Sequence, residues 1–124
     1  MRNIKVTRIN LKTSAESRSD LIRFCLFGDE QYLAIGWSGA FDVNPEIKTY
    51  QEYYYAVKDR YKKKNWRYDH SHNVFRNTVE GDLFWTRDLD GFYWICRALG
   101  AARSFYDPEM DIGAVVPVKA YRYD

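Results

Sequence analysis

Residues 81–100 read GDLFWTRDLDGFYWICRALG and carry the strongest structural signal in the chain. Two aromatic-rich segments, Asp82 to Arg87 and Gly91 to Leu99, flank the turn Asp88-Leu89-Asp90-Gly91. An Asp-Gly pair favours the left-handed backbone conformations of a tight hairpin turn. This stretch therefore predicts two antiparallel strands joined by a short connection.

Further strands are predicted on both sides of this hairpin. Ile4 to Leu11 alternates apolar and polar residues, as expected for a half-buried strand, and Gln31 to Gly36 reads as a buried strand. After the hairpin, Ala101 to Gly113 is predicted as a loop and Ala114 to Tyr121 as a final strand. Pro117 favours an edge or bulge position for that last strand, because proline cannot donate a ladder hydrogen bond.

A long helix is predicted between the second strand and the hairpin. Thr49 and Glu52 have the spacing of a capping box, which predicts a helix from Thr49 to Lys63. A stripe of residues at helical spacing is expected to face the core of the protein: Tyr50, Tyr53, Tyr54, Val57 and Tyr61.

Two other segments are predicted less uniquely. Ser71 is expected to cap a shorter helix that ends at Gly81, with three residues facing inward: Val74, Phe75 and Val79. Leu21 to Leu26 is apolar enough to be either a strand or a buried turn of helix.

This element order predicts an α+β protein, with a curved mixed sheet or a small β-barrel flanked by helices. At 124 residues the chain is expected to form one domain, 1–124. The chain stops just after the last predicted strand, which suggests a domain excised from, or fused within, a longer protein. A complete small protein would also fit.

Composition and charge favour a binding surface. Aromatic residues make up 18% of the chain, and Tyr and Trp combine an apolar body with a polar tip that suits ligand and partner surfaces. The net charge is only +2, but six basic residues and one acid between Lys58 and Arg67 give a local net charge of +5. This stretch is predicted either to face phosphates or to be a solvated helix end.

The two cysteines and the absence of apolar segments indicate the cellular setting. Cys25 and Cys96 each lie in an apolar run and are predicted to be buried free thiols, as in a reducing compartment. The charged N-terminus lacks an apolar signal segment, and no apolar run approaches the length of a bilayer span. We expect a cytoplasmic protein without a membrane partner.

Patterns typical of catalysis are weak. His70 and His72 form an H-x-H pair, but no spacing supplies a third metal ligand, so solvated loop histidines are favoured. The sequence contains no G-x-S-x-G motif, Gly-rich phosphate loop or Cys-His nucleophile. We expect no catalytic activity, no metal and no cofactor. A group of acids is expected in turns for structural reasons: Asp82, Asp88, Asp90, Asp107, Glu109 and Asp111.

Aromatic residues near predicted strand ends favour base binding instead. Trp37, Trp85 and the Phe105-Tyr106 pair occupy such positions. Each stacking contact with a base is worth about 1–3 kcal/mol, whereas taking a base out of a duplex costs roughly a few kcal/mol. Two or three contacts can therefore offset that cost. Basic residues would hold the flanking phosphates: Lys62, Lys63, Lys64, Arg67, Arg76 and Arg103.

Two stretches together carry a family resemblance. The first is Ala34-Ile35-Gly36-Trp37-Ser38, and the second runs from Asn73-Val74-Phe75-Arg76 through Gly81-Asp82 to Gly100. Their order and spacing resemble the EVE and YTH branches of the PUA-like superfamily. The resemblance covers most of the chain and ends with a closing strand at Val115 to Val118.

The resemblance implies an aromatic cage around a modified base, such as N6-methyladenine or a modified cytosine. Trp37 would form one wall, and the Ser38 backbone would lie within hydrogen-bond reach of the base edge. The Phe105-Tyr106 pair would form the opposite wall, with Trp85 and Arg87 at the floor or rim. The YTH branch has tryptophan at the Phe105-Tyr106 position, and its base-reading asparagine has no identified counterpart in this chain.

The leading hypothesis is therefore a reader that flips a modified base into this cage and targets a fused or partner nuclease or NTPase to DNA. EVE-like domains occur as specificity modules of modification-dependent restriction systems, which motivates that partner. An RNA-binding PUA-like module would use the same pocket and basic patch. From other classes, a protein-interaction domain with a tyrosine-rich surface and a small hydrolase using His70 or His72 are the alternatives.

Overall fold

A computed structural model describes residues 5–11, 18–61 and 69–123 of the chain. These residues contain six strands and four helices, which confirms the α+β class. In chain order the elements are β1 (Val6–Arg8), α1 (Arg18–Leu26), β2 (Gln31–Ile35), α2 (Ala40–Val43), α3 (Tyr50–Tyr61), α4 (Asp69–Arg76), β3 (Leu83–Arg87), β4 (Tyr93–Ala98), β5 (Arg103–Asp107) and β6 (Ile112–Tyr123).

The six strands form one mixed sheet. Its order is β1-β3-β4-β6-β2, with β5 also paired to β6. The β1–β3 pair is parallel and the other pairs are antiparallel. A strand has two hydrogen-bonding edges, so β6 uses one for β2 and the other for β4 and β5 in succession. Because β1 and β2 stand at opposite ends of this order, the described sheet is not closed into the small barrel that the sequence also allowed.

The hairpin predicted within residues 81–100 is confirmed as β3 and β4. Its turn is organised by Asp88, whose Oδ1 accepts hydrogen bonds from the backbone N–H groups of Asp90 at 2.9 Å and Phe92 at 3.0 Å. Gly91 adopts a φ of 89°, which glycine populates at little steric cost. Local sequence therefore specifies this part of the sheet.

One segment differs from the sequence prediction, and a second segment, for which the sequence left two possibilities, is now assigned. Ala101 to Gly113, predicted as a loop, contains strand β5, whose hydrogen-bonding partner is β6. Strand formation in such a short polar segment depends on the neighbouring strand rather than on intrinsic propensity. Leu21 to Leu26, left open between strand and helix, belongs to α1.

Pro117 lies inside β6 and not at an edge or bulge as predicted. It pairs with Tyr32 of β2, and its carbonyl accepts a hydrogen bond from the Leu99 N–H at 2.8 Å. The N and C=O of a strand residue point to the same edge. Pro117 has no N–H to donate toward the edge that β6 shares with β4 and β5. Because Pro117 lies where β6 changes partner from β4 to β5, no ladder hydrogen bond is lost there.

The core-facing stripe of α3 is confirmed where its side chains are described, since Tyr50, Tyr53, Tyr54 and Val57 are all buried. The predicted cap is also present: Thr49 Oγ1 accepts from the Glu52 N–H at 3.1 Å and donates to Glu52 Oε1 at 3.1 Å. Lys62 and Lys63, which the prediction placed in this helix, lie outside the described residues.

Helix α4 differs from the short helix predicted around Ser71. It begins at Asp69, so Ser71 lies within the helix and does not cap it. Val79 was expected to face inward but is 61% exposed. The helix ends at Arg76, and the Val79 N–H donates instead to Asp82 Oδ2 at 2.9 Å, so helical spacing no longer applies at Val79.

Both cysteines are free and buried, as predicted. Burial raises the pKa of each thiol above its ordinary value, for Cys96 to about 12. Among the described helices, none combines the length and the apolar character needed to cross a bilayer.

Candidate nucleic-acid interface

The six residues predicted to bind a base fall in three places: Trp37, Ser38 and Tyr106 around the end of β2, Phe105 against α1 and β2, and Trp85 with Arg87 on a separate face of the sheet. The structure thus does not bring them together as one cage. Each place has its own geometry.

Trp37 leaves β2 in a left-handed backbone conformation. Its φ is 75°, which is costly for a residue with a large side chain. The Trp37 carbonyl accepts from the Ala40 N–H at 3.1 Å and so starts the turn into α2. Next to it, the Ser38 hydroxyl and N–H both donate to Asp111 Oδ1, at 2.7 and 3.0 Å. These contacts fix the backbone on both sides of the half-buried Trp37.

A series of ring contacts links Trp37 to Tyr106. Ring centroids are 6.1 Å apart for Trp37 and His72, 5.7 Å for His72 and Tyr53, 6.4 Å for Tyr53 and Phe41, and 4.6 Å for Phe41 and Tyr106. Tyr106 remains 54% exposed. The two residues expected as opposite walls therefore lie on one aromatic cluster, with three rings between them.

His72 is buried in this cluster, contrary to the predicted solvated loop. It lies on α4 and is only 1% exposed. The Tyr53 hydroxyl donates to the Gly36 carbonyl, so its 3.0 Å contact with His72 Nε2 requires a proton on that nitrogen. One sequence signal was available: His72 lies three residues before the buried Phe75, which places both on one face of the helix.

Tyr50 stabilises the same cluster from α3. Its hydroxyl donates to the backbone carbonyl of His72, and its ring lies 6.4 Å from that of Phe75. Burial raises the pKa of the Tyr50 hydroxyl, so the group stays protonated and able to donate at neutral pH. The rings behind Trp37 are therefore buried and joined by hydrogen bonds.

The backbone of Ser38 is already engaged within the protein. Its N–H donates to Asp111, and its carbonyl accepts from the Phe41 N–H at 3.0 Å. A base edge at this position would have to share or displace these bonds. In this structure Ser38 acts by positioning Trp37.

Phe105 and Tyr106 contact different neighbours, although the β5–β6 pairing is irregular between Ser104 and Asp107. The Phe105 ring lies 5.5 Å from Phe24 and 6.3 Å from Tyr32, an arrangement that packs β5 against α1 and β2. The predicted phosphate-binding residues are also separated. Arg103 lies over the Tyr32 ring, and Arg76 lies over the Tyr54 ring. Four of them lie outside the described residues: Lys62, Lys63, Lys64 and Arg67.

Trp85 and Arg87 belong to a larger surface, which we name the open sheet face. By register, alternate residues of β1, β3, β4 and the second half of β6 share it, and all are exposed or half-buried. Its aromatic residues are Trp85, Tyr93, Tyr121 and Tyr123. Its cations are Arg8, Arg87, Arg97 and Lys119. Its aliphatic residues are Val6, Leu83 and Ile95.

Two depressions mark this face. The first, of about 280 Å³, is lined by Trp85, Tyr93, Ile95 and Tyr123. The second, of about 260 Å³, is polar and includes Arg8, Arg18 and Arg87 in its lining. Arg8 lies 5.1 Å from the Trp85 ring centroid and Arg87 lies 5.2 Å from that of Tyr93. Arg8 and Arg87 thus line the polar depression and lie over the rings of two residues that line the aromatic one, so the two depressions are adjacent.

Asp88, the acid that lines the polar depression, is held by the hairpin. Trp94 Nε1 donates to its Oδ2 at 2.9 Å, while its Oδ1 accepts the two turn N–H groups of Asp90 and Phe92. Burial raises the pKa of the Asp88 carboxyl, but these hydrogen bonds and the nearby Arg122 outweigh burial and hold that pKa below its ordinary value. The negative charge of Asp88 thus stabilises the hydrogen bonds of the turn.

Within the described ranges, no three His, Cys, Asp or Glu side chains are grouped so that they could hold a metal ion. The raised pKa values of the two buried thiols also leave almost no thiolate at neutral pH. Nucleophilic chemistry at these cysteines is therefore disfavoured.

Sequence analysis identified only two residues of the open sheet face, Trp85 and Arg87. The others were visible as an alternation: in β4, Tyr93, Ile95 and Arg97 alternate with the buried Trp94 and Cys96. What the alternation could not show is that neighbouring strands place the same kinds of residue side by side. Comparison of the chain with models of protein families, with curated proteins and with solved structures finds no match.

Proposed function

We propose that the protein is a nucleic-acid-binding module that reads a modified base taken out of its stack, with Trp37 as the wall on which that base lies. The supporting observation is the conformation of Trp37. A half-buried indole is held at a strand end in a backbone conformation that costs roughly 1–3 kcal/mol. Such strain persists only where surrounding contacts enforce it, and it is common at ligand clamps.

The surroundings of Trp37 suit a preorganised wall. Asp111 fixes the neighbouring Ser38, and the buried His72 supports the indole edge-on, with the ring planes 71° apart. An aromatic wall that is already fixed loses little side-chain entropy when a base stacks on it. Tyr106, which is largely exposed on the same aromatic cluster, is our candidate for a second aromatic contact with the nucleic acid, separated from Trp37 by three rings.

The modification would be read by burial of its methyl group. Burying one methyl-sized group contributes about 0.8 kcal/mol, which corresponds to a preference of about fourfold. We also propose that the fold is PUA-like. The base would be a methylated adenine or a modified cytosine in DNA, and the module would bring a fused or partner nuclease to it. The module itself carries out no catalytic step.

A binding titration tests this function. The chain is titrated against matched DNA duplexes that are unmodified, N6-methyladenine-containing and 5-methylcytosine-containing, with single-stranded RNA alongside. We expect preference for one modified duplex. Trp37→Ala should remove the preference, and Trp37→Phe should retain part of it because a stacking ring remains. Tyr55→Ala is the matched control, since Tyr55 is an exposed ring on α3 that packs on Tyr54.

Each other outcome has a defined meaning. Equal binding to all duplexes by the wild-type chain would reduce the protein to a general nucleic-acid module. Tighter binding to RNA, without regard to duplex modification, would favour the RNA-binding alternative. Absence of any nucleic-acid binding would contradict the proposal and favour a protein-interaction domain.

A further inference from the structure

We propose that the open sheet face binds a single strand of nucleic acid, with bases stacked on its aromatic residues and phosphates held by its arginines. This deepens the proposed function, on which it rests for the class of ligand, by naming a second binding surface and the form of the nucleic acid. It is argued from residues that the Trp37 site does not use.

The chemistry of the face is that of a polyanion site. Four of its eleven residues are cationic, four are aromatic and none is acidic. Tyr121 is 57% exposed and Tyr123 is 70% exposed. Large aromatic residues that gather on a solvent-exposed sheet surface mark an interaction site. The charge of this face selects a negatively charged partner.

The sheet geometry arranges these residues in rows. Arg8, Trp85, Ile95 and Tyr121 occupy paired positions on four neighbouring strands. The next row contains Arg87, Tyr93 and Tyr123. Neighbouring strands lie about 4.8 Å apart, so the rings lie side by side on the face, and Trp85 and Tyr93 are 5.5 Å apart between centroids with their planes tilted by 55°. Aromatic residues on an open sheet can stack two or three unpaired bases in this way.

The polar depression supplies the site for the phosphates. It brings Arg8, Arg18 and Arg87 to the side of the face where β1 and β3 end. Arg18 is anchored there because its Nε donates to the Leu11 carbonyl at 3.1 Å. With bases on the rings, the sugar-phosphate backbone can follow the side of the face where these arginines lie. The Asp88 carboxylate in the same depression already accepts hydrogen bonds from Trp94 and from the hairpin turn.

A single strand fits this face better than a duplex or an apolar protein partner. A duplex keeps its base faces stacked inside, so the rings would meet only sugars and groove edges. An apolar protein surface would bury the four cations without counter-charges, which carries a large desolvation cost. A single strand satisfies both features, because its bases have free faces and its phosphates carry the complementary charge.

The first test measures binding of unmodified, fluorescently labelled oligothymidine and oligouridine of about 16 nucleotides to the full chain, a length within known single-strand site sizes. Tyr121→Ala and Tyr123→Ala remove exposed rings and are expected to leave the fold intact. We expect each to weaken binding about fivefold or more, the effect of losing one stacked base. Tyr55→Ala removes a similarly exposed ring elsewhere and should bind as the wild type.

The second test measures the salt dependence of that binding. Arg8 and Arg87 line the polar depression that is proposed to hold the phosphates. Changing both to Gln should lower the slope of log affinity against log salt by about 1.4, since each phosphate contact on a single strand contributes about 0.7. The matched pair Arg23→Gln with Lys48→Gln removes two exposed cations outside the face and should leave the slope unchanged.

The outcomes separate this inference from the proposed function. Trp37→Ala should bind unmodified oligothymidine like the wild type, even where it loses modified-base preference. Absence of oligonucleotide binding, or wild-type binding by both tyrosine variants and by the charge variant, overturns the single-strand site. A dimer that Tyr121→Ala dissociates, with no effect on oligonucleotide binding, overturns it in favour of a second copy. The ratio of the two oligonucleotide affinities shows whether DNA or RNA is preferred.

Discussion

The hydroxyl and the backbone N–H of Ser38 both donate to one carboxylate oxygen, Oδ1 of Asp111, which is 73 residues away in the chain. Asp111 has a φ of 53° and Trp37 a φ of 75°, and in the described part of the chain these are the two non-glycine residues with positive φ. Ser38 thus connects two strained positions. A Cβ at Gly36 would lie 3.0 Å from the Asp111 carbonyl, so the two turns also approach closely.

Loss of this connection should affect stability and binding together. Asp111→Ala removes the acceptor of both Ser38 bonds and places a Cβ-bearing residue without a local hydrogen-bonding group in a left-handed conformation. We expect the free energy of unfolding to fall by about 1.5–3 kcal/mol, the contribution of hydrogen bonds to a charged group. Urea denaturation measures this, and the titration with modified duplexes should show weaker discrimination because Trp37 is no longer fixed.

Two variants control the Asp111 prediction. Asp111→Asn retains an acceptor and tolerates positive φ, so its loss of stability should be intermediate. Glu109→Ala changes an exposed acid in the same turn and should have little effect. If Asp111→Ala were as stable as the wild type, the Ser38–Asp111 contact would have no structural role.

Gly113 is required by close packing against Tyr53. A Cβ at this position would lie 2.3 Å from Tyr53 Cε1 and 2.8 Å from its hydroxyl oxygen. Tyr53 cannot move easily, because it is fully buried and its hydroxyl bonds both Gly36 and His72. We expect Gly113→Ala to lower the free energy of unfolding by about 1–3 kcal/mol, the usual cost of overpacking. Thermal or urea denaturation provides the measurement.

Gly100→Ala is the matched control for Gly113→Ala. Its Cβ would meet only the Pro117 Cγ, at 4.0 Å, which is an ordinary contact distance. Alanine there should leave stability unchanged or raise it slightly, because it reduces the freedom of the unfolded chain. A similar loss for both variants would mean that the Tyr53 contact is not the cause.

Local signals predicted the parts of this fold that local contacts stabilise. The Asp90-Gly91 turn fixed the β3–β4 hairpin, and the Thr49–Glu52 pair marked the start of α3. Both depend on hydrogen bonds over at most four residues, such as Asp88 to Phe92. Spacing in the sequence is sufficient to identify such contacts.

Features that depend on distant partners were missed or misplaced. β5 exists through pairing with β6, and His72 is buried because Tyr50 and Tyr53 supply its hydrogen bonds from another helix. Phe105 and Tyr106 are adjacent in sequence, yet their rings contact different neighbours on β5, whose pairing with β6 is irregular at this point. The candidate site could therefore be predicted in its residue types but not in its grouping.

Asp88 should make the hairpin sensitive to acid. Its folded-state pKa is held below its ordinary value, so the folded state favours the ionised form. This contribution to stability is present above the unfolded-state pKa of about 3.9 and is lost as the pH falls through the lower folded-state pKa. Asp88→Asn should therefore lower the urea midpoint at pH 7, and the difference from the wild type should narrow as the pH is reduced below about 4.

Asp90→Asn serves as the control for Asp88→Asn, since Asp90 is an exposed acid in the same turn. Its urea midpoint should stay near that of the wild type at both pH values. A constant difference between Asp88→Asn and the wild type from neutral to acid pH would show that the Asp88 charge does not contribute to stability.

Thiol labelling should report how α1 and β4 open. Cys25 lies in α1 and Cys96 in β4, and both are fully buried. Only the thiolate reacts, and burial raises the pKa of both thiols, so the folded protein contains almost no thiolate near neutral pH. We expect an aromatic disulfide reagent to label both thiols slowly in the native protein and rapidly in urea. Fast, complete labelling without urea would contradict the buried position of the thiols.

Single-cysteine variants assign the two labelling rates. Cys25→Ala leaves Cys96 as the only thiol, and Cys96→Ala leaves Cys25. Equal rates that rise together with urea would place α1 and β4 in one cooperative unit, because both thiols would then become accessible through the same opening. Faster labelling of Cys25 would mean that α1 separates from the sheet before the sheet unfolds. We expect equal rates, because Phe27, just after α1, packs on Trp94 of β4 with ring centroids 5.1 Å apart.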